Sequence, residues 1–391
     1  MAKGKGGFLG QDGLNAPDQA TGVSATAGDT EATVSFTAPS DVGGSAITGY
    51  RVQSNDGIGA SGSSSPITVT GLTNGTSYTF NVWAINALGW SAPSDASGNV
   101  TPSAPTGLVA GFYVNGASVD SINLATAGTA TDFGDLTQGR YFTCGAGSNT
   151  RFIVVAGDVS FSTVTTIDYT AYGSTGTFTD FGDTNVRQSQ GNNSPVSNIT
   201  RSCFMLSAQD GGTTAYNNIS YITNATTGNA TDFGDSSASR FVSAGLSSTT
   251  RGVFGGGYTG SSTSNVIDYI AIASTGNATD FGNLTLARNQ LGGCASATRG
   301  LFCGGGGYNT IDYITIASTG NATDFGDLPS GNYTNVAMAT STIAVITEGS
   351  SGANLSTVTI ASTGNATDWG YDLTRTRSRA CGGSSAAASV Q

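Results

Sequence analysis

A seven-residue phrase, G-[NT]-[AF]-T-D-[FW]-G, occurs six times in this chain, with its aspartate at Asp132, Asp180, Asp232, Asp280, Asp324 and Asp368. Successive copies are 48, 52, 48, 44 and 44 residues apart. A unit of that length cannot bury an apolar face by itself. It must stack on its neighbours, and periods of 40–50 residues hold about four short strands each. The repeat therefore constrains the fold more than any other feature of the sequence.

One unit shows the four strands. NQLGGCAS (289–296) is small and glycine-rich, RGLFCGGG (299–306) follows a tight turn, TIDYITIAST (310–319) alternates Ile311, Tyr313 and Thr315 with Asp312, Ile314 and Ile316, and ATDFGDL (322–328) ends the unit. The small first strand suits the crowded axis of a β-propeller, and FTCGAGS (142–148), FVSAGLS (241–247) and RACGGSS (379–385) are its counterparts. The first unit has its later strands, GLVAGFYV (107–114) and ASVDSINLAT (117–126), but no small strand before them, and one small strand is left over after the last anchor. The expected fold class is thus all-β, with a six-bladed propeller over 105–391 closed by residues 379–391. The alternative is an open solenoid, which needs no lone terminal strand.

Composition agrees. Of 391 residues, 58 are glycine and 10% are charged, which suits short strands and tight turns rather than long helices. Recurring Val, Ile, Tyr and Phe runs argue against disorder. The formal charge is −11, and the only lysines are Lys3 and Lys5. An acidic body with a short basic arm disfavours nucleic-acid binding. No run of 18 apolar residues and no apolar leader core occur, so no membrane insertion and no secretory signal are expected. The five cysteines, without a C-x-x-C pair, read as apolar filler made in a reducing cytoplasm.

Residues 1–15 form an aperiodic arm, and Lys3, Lys5, Phe8, Leu9 and Leu14 are its candidate partner-docking residues. Residues 16–104 read as a separate sandwich, with strand-like runs at 20–26, 32–38, 47–54, 65–72, 76–86 and 97–103. The segment GLTNGTSYTFNVWAINALGWSAPS (71–94), with Ala16-Pro17, Phe36 before Pro39, Tyr50 and Val52, resembles a fibronectin type III domain. That resemblance implies an immunoglobulin-like sandwich in which the Tyr78 hydroxyl bonds back to the backbone, with Phe36 where the family often has tryptophan. It implies a fold and no particular function.

Chemistry-bearing motifs are sparse. The pairs Asp132/Asp135, Asp180/Asp183, Asp232/Asp235 and Asp324/Asp327 offer too few oxygens for a Ca²⁺ site and read as turn chemistry. The Asn-Ala-Thr sequons at Asn229, Asn277, Asn321 and Asn365 read as the repeat's own turn. The chain has no histidine and only Glu31 and Glu348 as glutamates, which removes most acid–base and metal-centre solutions. No catalytic residue, cofactor or metal is expected. Tyr258, Tyr308 and Tyr333 are the candidate ligand-contact aromatics.

The GGG-then-aromatic-strand units resemble kelch-type propellers. Together with the opening MAKGKGGFLGQDGLNAPD, they resemble virion structural proteins of tailed phages, particularly marine phages of cyanobacteria. This resemblance implies a non-enzymatic, multi-copy protein of the capsid or tail exterior, assembled in the host cytoplasm. Its arm would dock on other virion proteins and its propeller would face host-surface glycan or protein. The alternatives are a cell-surface or secreted carbohydrate-binding adhesin and a glycan hydrolase.

Overall fold

The computed structural model describes residues 15–112, 117–160, 162–174, 176–186, 195–205, 214–331, 333, 336–348, 353–374 and 378–385. Lys3, Lys5, Phe8, Leu9 and Leu14 lie outside the described residues. The chain divides into two compact units, Met1–Ala104 and Pro105–Gln391. Every regular element among the described residues is a strand, so the protein is all-β.

Unit 1 is a sandwich of two antiparallel sheets. One orders Thr21–Ala27, Glu31–Thr37 and Ile67–Thr70; the other orders Gly59–Gly62, Ile47–Ser54, Phe80–Asn86 and Gly89–Trp90. Phe80, Val82 and Ala84 point inward at period two and meet Val34, Phe36, Tyr50, Val52 and Val69. Each fully buried Val or Phe here stabilises the unit by about 1.5–3 kcal/mol. The expected strand at 97–103 does not form. Instead Ser91, Ser94 and Ser97 climb beside Phe80–Asn86, each donating its N–H to Ala84, Val82 or Phe80 O while its Oγ accepts that same residue's N–H at 2.9–3.0 Å. Steps of three residues against two leave carbonyls out of register, and serine oxygens replace them.

Unit 2 contains six separate four-stranded antiparallel sheets, none closed on itself. We number them I to VI and letter their strands a to d from the small strand outward. Sheet II comprises Cys144–Gly147, Arg151–Val159, Ser162–Ala171 and Thr179–Asp183, and sheet III comprises Val196–Ser197, Arg201–Met205, Asn218–Thr223 and Thr231–Asp235. Sheet IV comprises Ala244–Ser247, Arg251–Gly255, Val266–Ala271 and Thr279–Asn283, and sheet V comprises Gly292–Ala295, Arg299–Cys303, Thr310–Thr315 and Thr323–Asp327. Sheet VI comprises Ala337–Ala339, Ile343–Thr347, Leu355–Thr359 and Thr367–Asp368. Sheet I takes its a strand, Ser378–Ser384, from the far end of the chain and sets it against Thr106–Phe112, followed by Ser118–Asn123 and Thr131–Asp135.

Buried side chains fall into clusters that each join two sheets. Leu108 and Cys381 of I meet Phe152 of II; Ile153 of II meets Phe204 of III; Cys203 of III meets Phe254 of IV; Val253 of IV meets Phe302 of V; Leu301 of V meets Ile346 of VI. A further cluster joins Met338 and Trp369 of VI to Ile122 and Leu124 of I. Because each sheet is covered on both faces, the c strands do not read as half-exposed. In sheet V, Ile311, Asp312 and Ile314 are all buried, against the alternation expected from sequence.

The repeated phrase works between sheets. In sheets III to VI the segment before the d strand lies along the preceding sheet's d strand: Gly228 and Ala230 N–H donate to Phe181 and Asp183 O, and Gly276 and Ala278 N–H to Phe233 and Asp235 O, at 2.7–2.8 Å. The sequon asparagines complete this contact. Asn229, Asn277, Asn321 and Asn365 Oδ1 accept the N–H of Asp183, Asp235, Asn283 and Asp327 at 3.0 Å. These asparagines therefore clasp the neighbouring sheet rather than shaping a turn of their own. Arginines form a second clasp. Arg151, Arg201, Arg251 and Arg299 lie over Tyr169, Tyr221, Tyr269 and Tyr313 at 4.3–4.8 Å and donate to carbonyls of the next sheet at 2.8–2.9 Å.

Candidate functional site

Antiparallel pairing sends the a–b and c–d turns to one end of each sheet and the b–c loops and sheet-to-sheet connections to the other. Equivalent positions of neighbouring a strands lie side by side, as at Ser197 and Ser247, so these ends form two distinct faces of unit 2. The exposed residues of the a–b and c–d turns are Ser, Thr, Gly, Ala and Asn, with Ile199 exposed among them. The opposite, loop face varies in length and sequence from sheet to sheet. It carries the exposed Tyr216, Leu286, Tyr308, Tyr333 and Tyr371.

The three candidate aromatics all lie on this loop face. Tyr308 and Tyr333 are exposed, at 47% and 50%. Tyr258 is half-buried: its ring meets Phe241 edge-on at 5.5 Å and its backbone bridges Phe241 and Thr263. Tyr258 thus packs a loop against the connection into sheet IV, and Tyr308 and Tyr333 present the freer rings.

Beneath the loop face lies a feature that the sequence reading missed. Arg140, Arg240 and Arg288, each in a connection between sheets, are fully buried and pair with the fully buried Asp168, Asp268 and Asp312 at 3.0, 2.8 and 3.1 Å. Each Arg Nη2 also donates to the b-strand carbonyl of Val154, Phe254 or Phe302. Thr137, Ser237 and Thr285 donate both N–H and hydroxyl to the same aspartates. Burial lowers the arginine pKa values, and the aspartates oppose that shift. In sheet VI, Ser356 takes the aspartate's position and donates to Glu348, whose carboxyl is pushed up first by burial and then by Asp368.

All five cysteines are buried and none is in a disulfide, and burial pushes the Cys203 thiol up to about 12 and the Cys381 thiol to about 11. No group of three or more His, Cys, Asp or Glu side chains able to hold a metal occurs among the described residues. The Asp-x-x-Asp pairs lie on the d strands, where the first aspartate of each is exposed. Their carboxylates bond neighbouring side chains: Asp183 accepts from Thr165 Oγ1, and Asp232 from Asn218 Nδ2, both at 2.8 Å.

In unit 1, Thr73 N–H donates to the Tyr78 hydroxyl at 3.0 Å, five residues upstream, as the corner-tyrosine resemblance implies. Solved structures similar to this chain include a crystal structure of a run of titin domains, at 29% identity and a TM-score of 0.22, covering 22% of this chain and 32% of that one. A structure of titin kinase and its flanking domains matches at 29% identity and a TM-score of 0.21, covering 22% and 17%. This chain thus spans a third or less of each of these two solved chains. No curated protein matches it. Residues 16–100 match the fibronectin type III family, and with the sandwich, its core and the Tyr78 bond in place, this segment is a fibronectin type III domain.

Proposed function

We propose that unit 2 is a six-bladed kelch-like propeller and that the whole chain is a non-enzymatic display protein on the exterior of a tailed-phage virion. The fibronectin type III domain is the spacer, the N-terminal arm docks on other virion proteins, and the loop face meets host-surface glycan or protein. The observation that carries the propeller reading is the last buried cluster. It joins sheet VI to sheet I, while sheet I is itself completed by residues from both ends of the unit. Ring closure of this kind hides sheet edges that would otherwise recruit other chains. Raised thiol pKa values and buried, paired arginines favour a structural part over a reactive one. The resemblance of repeats and opening segment to phage virion proteins supports the location, and many copies per particle make weak contacts effective.

A chain ending at residue 377 tests the ring. We expect it to lose monodispersity on size-exclusion chromatography and to melt at a markedly lower temperature than the full chain. An unchanged midpoint and a single monomer peak would contradict closure. Immuno-electron microscopy of purified virions with an antibody to unit 2 tests the location, and absence of labelling counts against it.

A further inference from the structure

Resting on the reading of the loop face as a binding surface, we propose that Tyr308 and Tyr333, set on either side of Gly306 and Gly307, form a subsite for a neutral sugar ring. The turn between the b and c strands of sheet V is Gly304–Gly307, with φ of 58°, 92°, 64° and 86° at four successive residues. Only glycine holds such a run without strain. The turn closes through Tyr308 N–H donating to Gly305 O at 3.0 Å. A Cβ on Gly307 would sit 3.1 Å from the Tyr333 hydroxyl oxygen, and one on Gly306 would sit 3.4 Å from Tyr308 Cδ2. Two aromatic rings therefore border one stretch of bare backbone. Gly331 presses the connection to sheet VI onto the same turn, since a Cβ there would meet Gly307 O at 2.2 Å.

Three observations select the ligand class. First, both rings are about half exposed, and neither has an aromatic partner among the described residues, unlike Tyr258 on Phe241. Second, the N–H groups of Gly306 and Gly307 donate to no protein acceptor among the described residues, and Gly307 is exposed. Third, the described charges at this end outside the buried pairs are carboxylates, among them Asp327 at the end of the sheet V d strand, Glu348 and Asp372, and Arg288 beneath the turn is committed to Asp312 and to Gly304 O. Ring faces take the C–H side of a pyranose, and peptide N–H groups take its hydroxyls. A carboxylate or phosphate ligand would find no free cation among the described residues here.

The full-length protein should be probed on an array carrying neutral gluco-, galacto- and manno-oligosaccharides beside sialylated and uronate-bearing ones. The best neutral binder is then titrated calorimetrically against wild type, Tyr308→Ala, Tyr333→Ala and the opposite-face control Ile199→Ala, with thermal melts confirming that each variant folds. We expect neutral glycans to bind and each tyrosine variant to weaken binding about tenfold, the upper range for one aromatic contact. Ile199→Ala should leave binding unchanged. Neutral binding that survives both tyrosine variants overturns the subsite while leaving the loop-face reading intact. A preference for charged glycans, or no glycan binding at all, overturns the neutral-sugar assignment. Binding lost in Ile199→Ala but kept in both tyrosine variants overturns the subsite and the loop-face reading together.

Discussion

A carboxylate with no exposed surface persists only when its charge is met, and Asp268 is met by Arg240, Ser237 and the serine's own N–H. Removing one partner strands the other. Arg240→Ala or Asp268→Ala should each cost about 3–5 kcal/mol in chemical denaturation, whereas the double replacement Arg240→Met/Asp268→Leu should recover most of that loss. Nε and Nη1 of Arg240 have no protein acceptor, while Nε of Arg288 donates to Gly304 O at 2.8 Å, so apolar replacement should be better tolerated at the first pair than at Arg288/Asp312. The buried thiols give a second, pH-dependent expectation. The Cys203, Cys294 and Cys381 thiols have raised pKa values in the folded state, so the neutral thiol favours folding below about pH 8.5 and, for Cys203, that contribution fades as pH climbs towards 12. Thermal midpoints followed from pH 8 upward should fall less steeply in Cys203→Ala than in wild type. At this scale the sequence was only half legible. Ile-Asp-Tyr and the Thr- or Ser-x-x-Arg runs recur visibly, yet Asp312 reads as outward-facing while one face of its sheet is assumed wet. The missing fact was the second neighbouring sheet. The same fact accounts for arginine where lysine is absent: Arg251 must stack on Tyr269 and still reach Ile316 O, which suits a planar, many-donor head.

Strands with side chains of distinct size were legible, and strands without them were not. Phe80–Asn86 and Thr310–Thr315 fall within their expected runs, because β-branched and aromatic residues mark them. Gly59–Gly62 escapes notice, since nothing in Gly-Ala-Ser-Gly signals a pleat. Ser91–Ser97 escapes because its pairing uses side-chain oxygens at a spacing of three. Among the a strands the informative property is smallness. A Cβ on Gly145 would lie 2.4 Å from Gly382 O of sheet I, and one on Gly293 would lie 2.1 Å from Gly245 O of sheet IV. Neither glycine has a positive φ, so the obstacle is close backbone approach alone. Gly145→Ala and Gly293→Ala should each destabilise unit 2 by about 1–3 kcal/mol, the usual cost of overpacking. Gly98→Ala in unit 1, where a Cβ meets nothing within 4 Å, should change the unfolding free energy by less than about 0.5 kcal/mol.

Across the whole molecule, charge is sorted by depth. Arg151, Arg201, Arg251 and Arg299 are spent in clasps and Arg140, Arg240 and Arg288 in buried pairs, while Asp132, Asp180, Asp232, Asp280, Asp324 and Asp368 stand exposed on the outer strands. Like charges so arranged repel, and salt screens them. Raising NaCl from low to physiological ionic strength should lift the thermal midpoint by roughly 2–4 °C, a shift that differential scanning calorimetry would detect. The fibronectin type III segment and the six-fold phrase were legible at this scale because each is a pattern of side chains. The sorting of loop aromatics to one face was not, because it follows from strand direction in three dimensions. The pairing of Cys381 with Ala110 carries a temporal consequence. Sheets II to VI can each form as their own stretch of chain leaves the ribosome, but Thr106–Phe112 must wait for Ser378–Ser384, which is translated only after all five of those sheets. A message cut short before this strand, or a ribosome stalled there, therefore yields a chain with an open strand edge, marked for aggregation or proteolysis, and only a polypeptide that extends through Ser384 can complete sheet I.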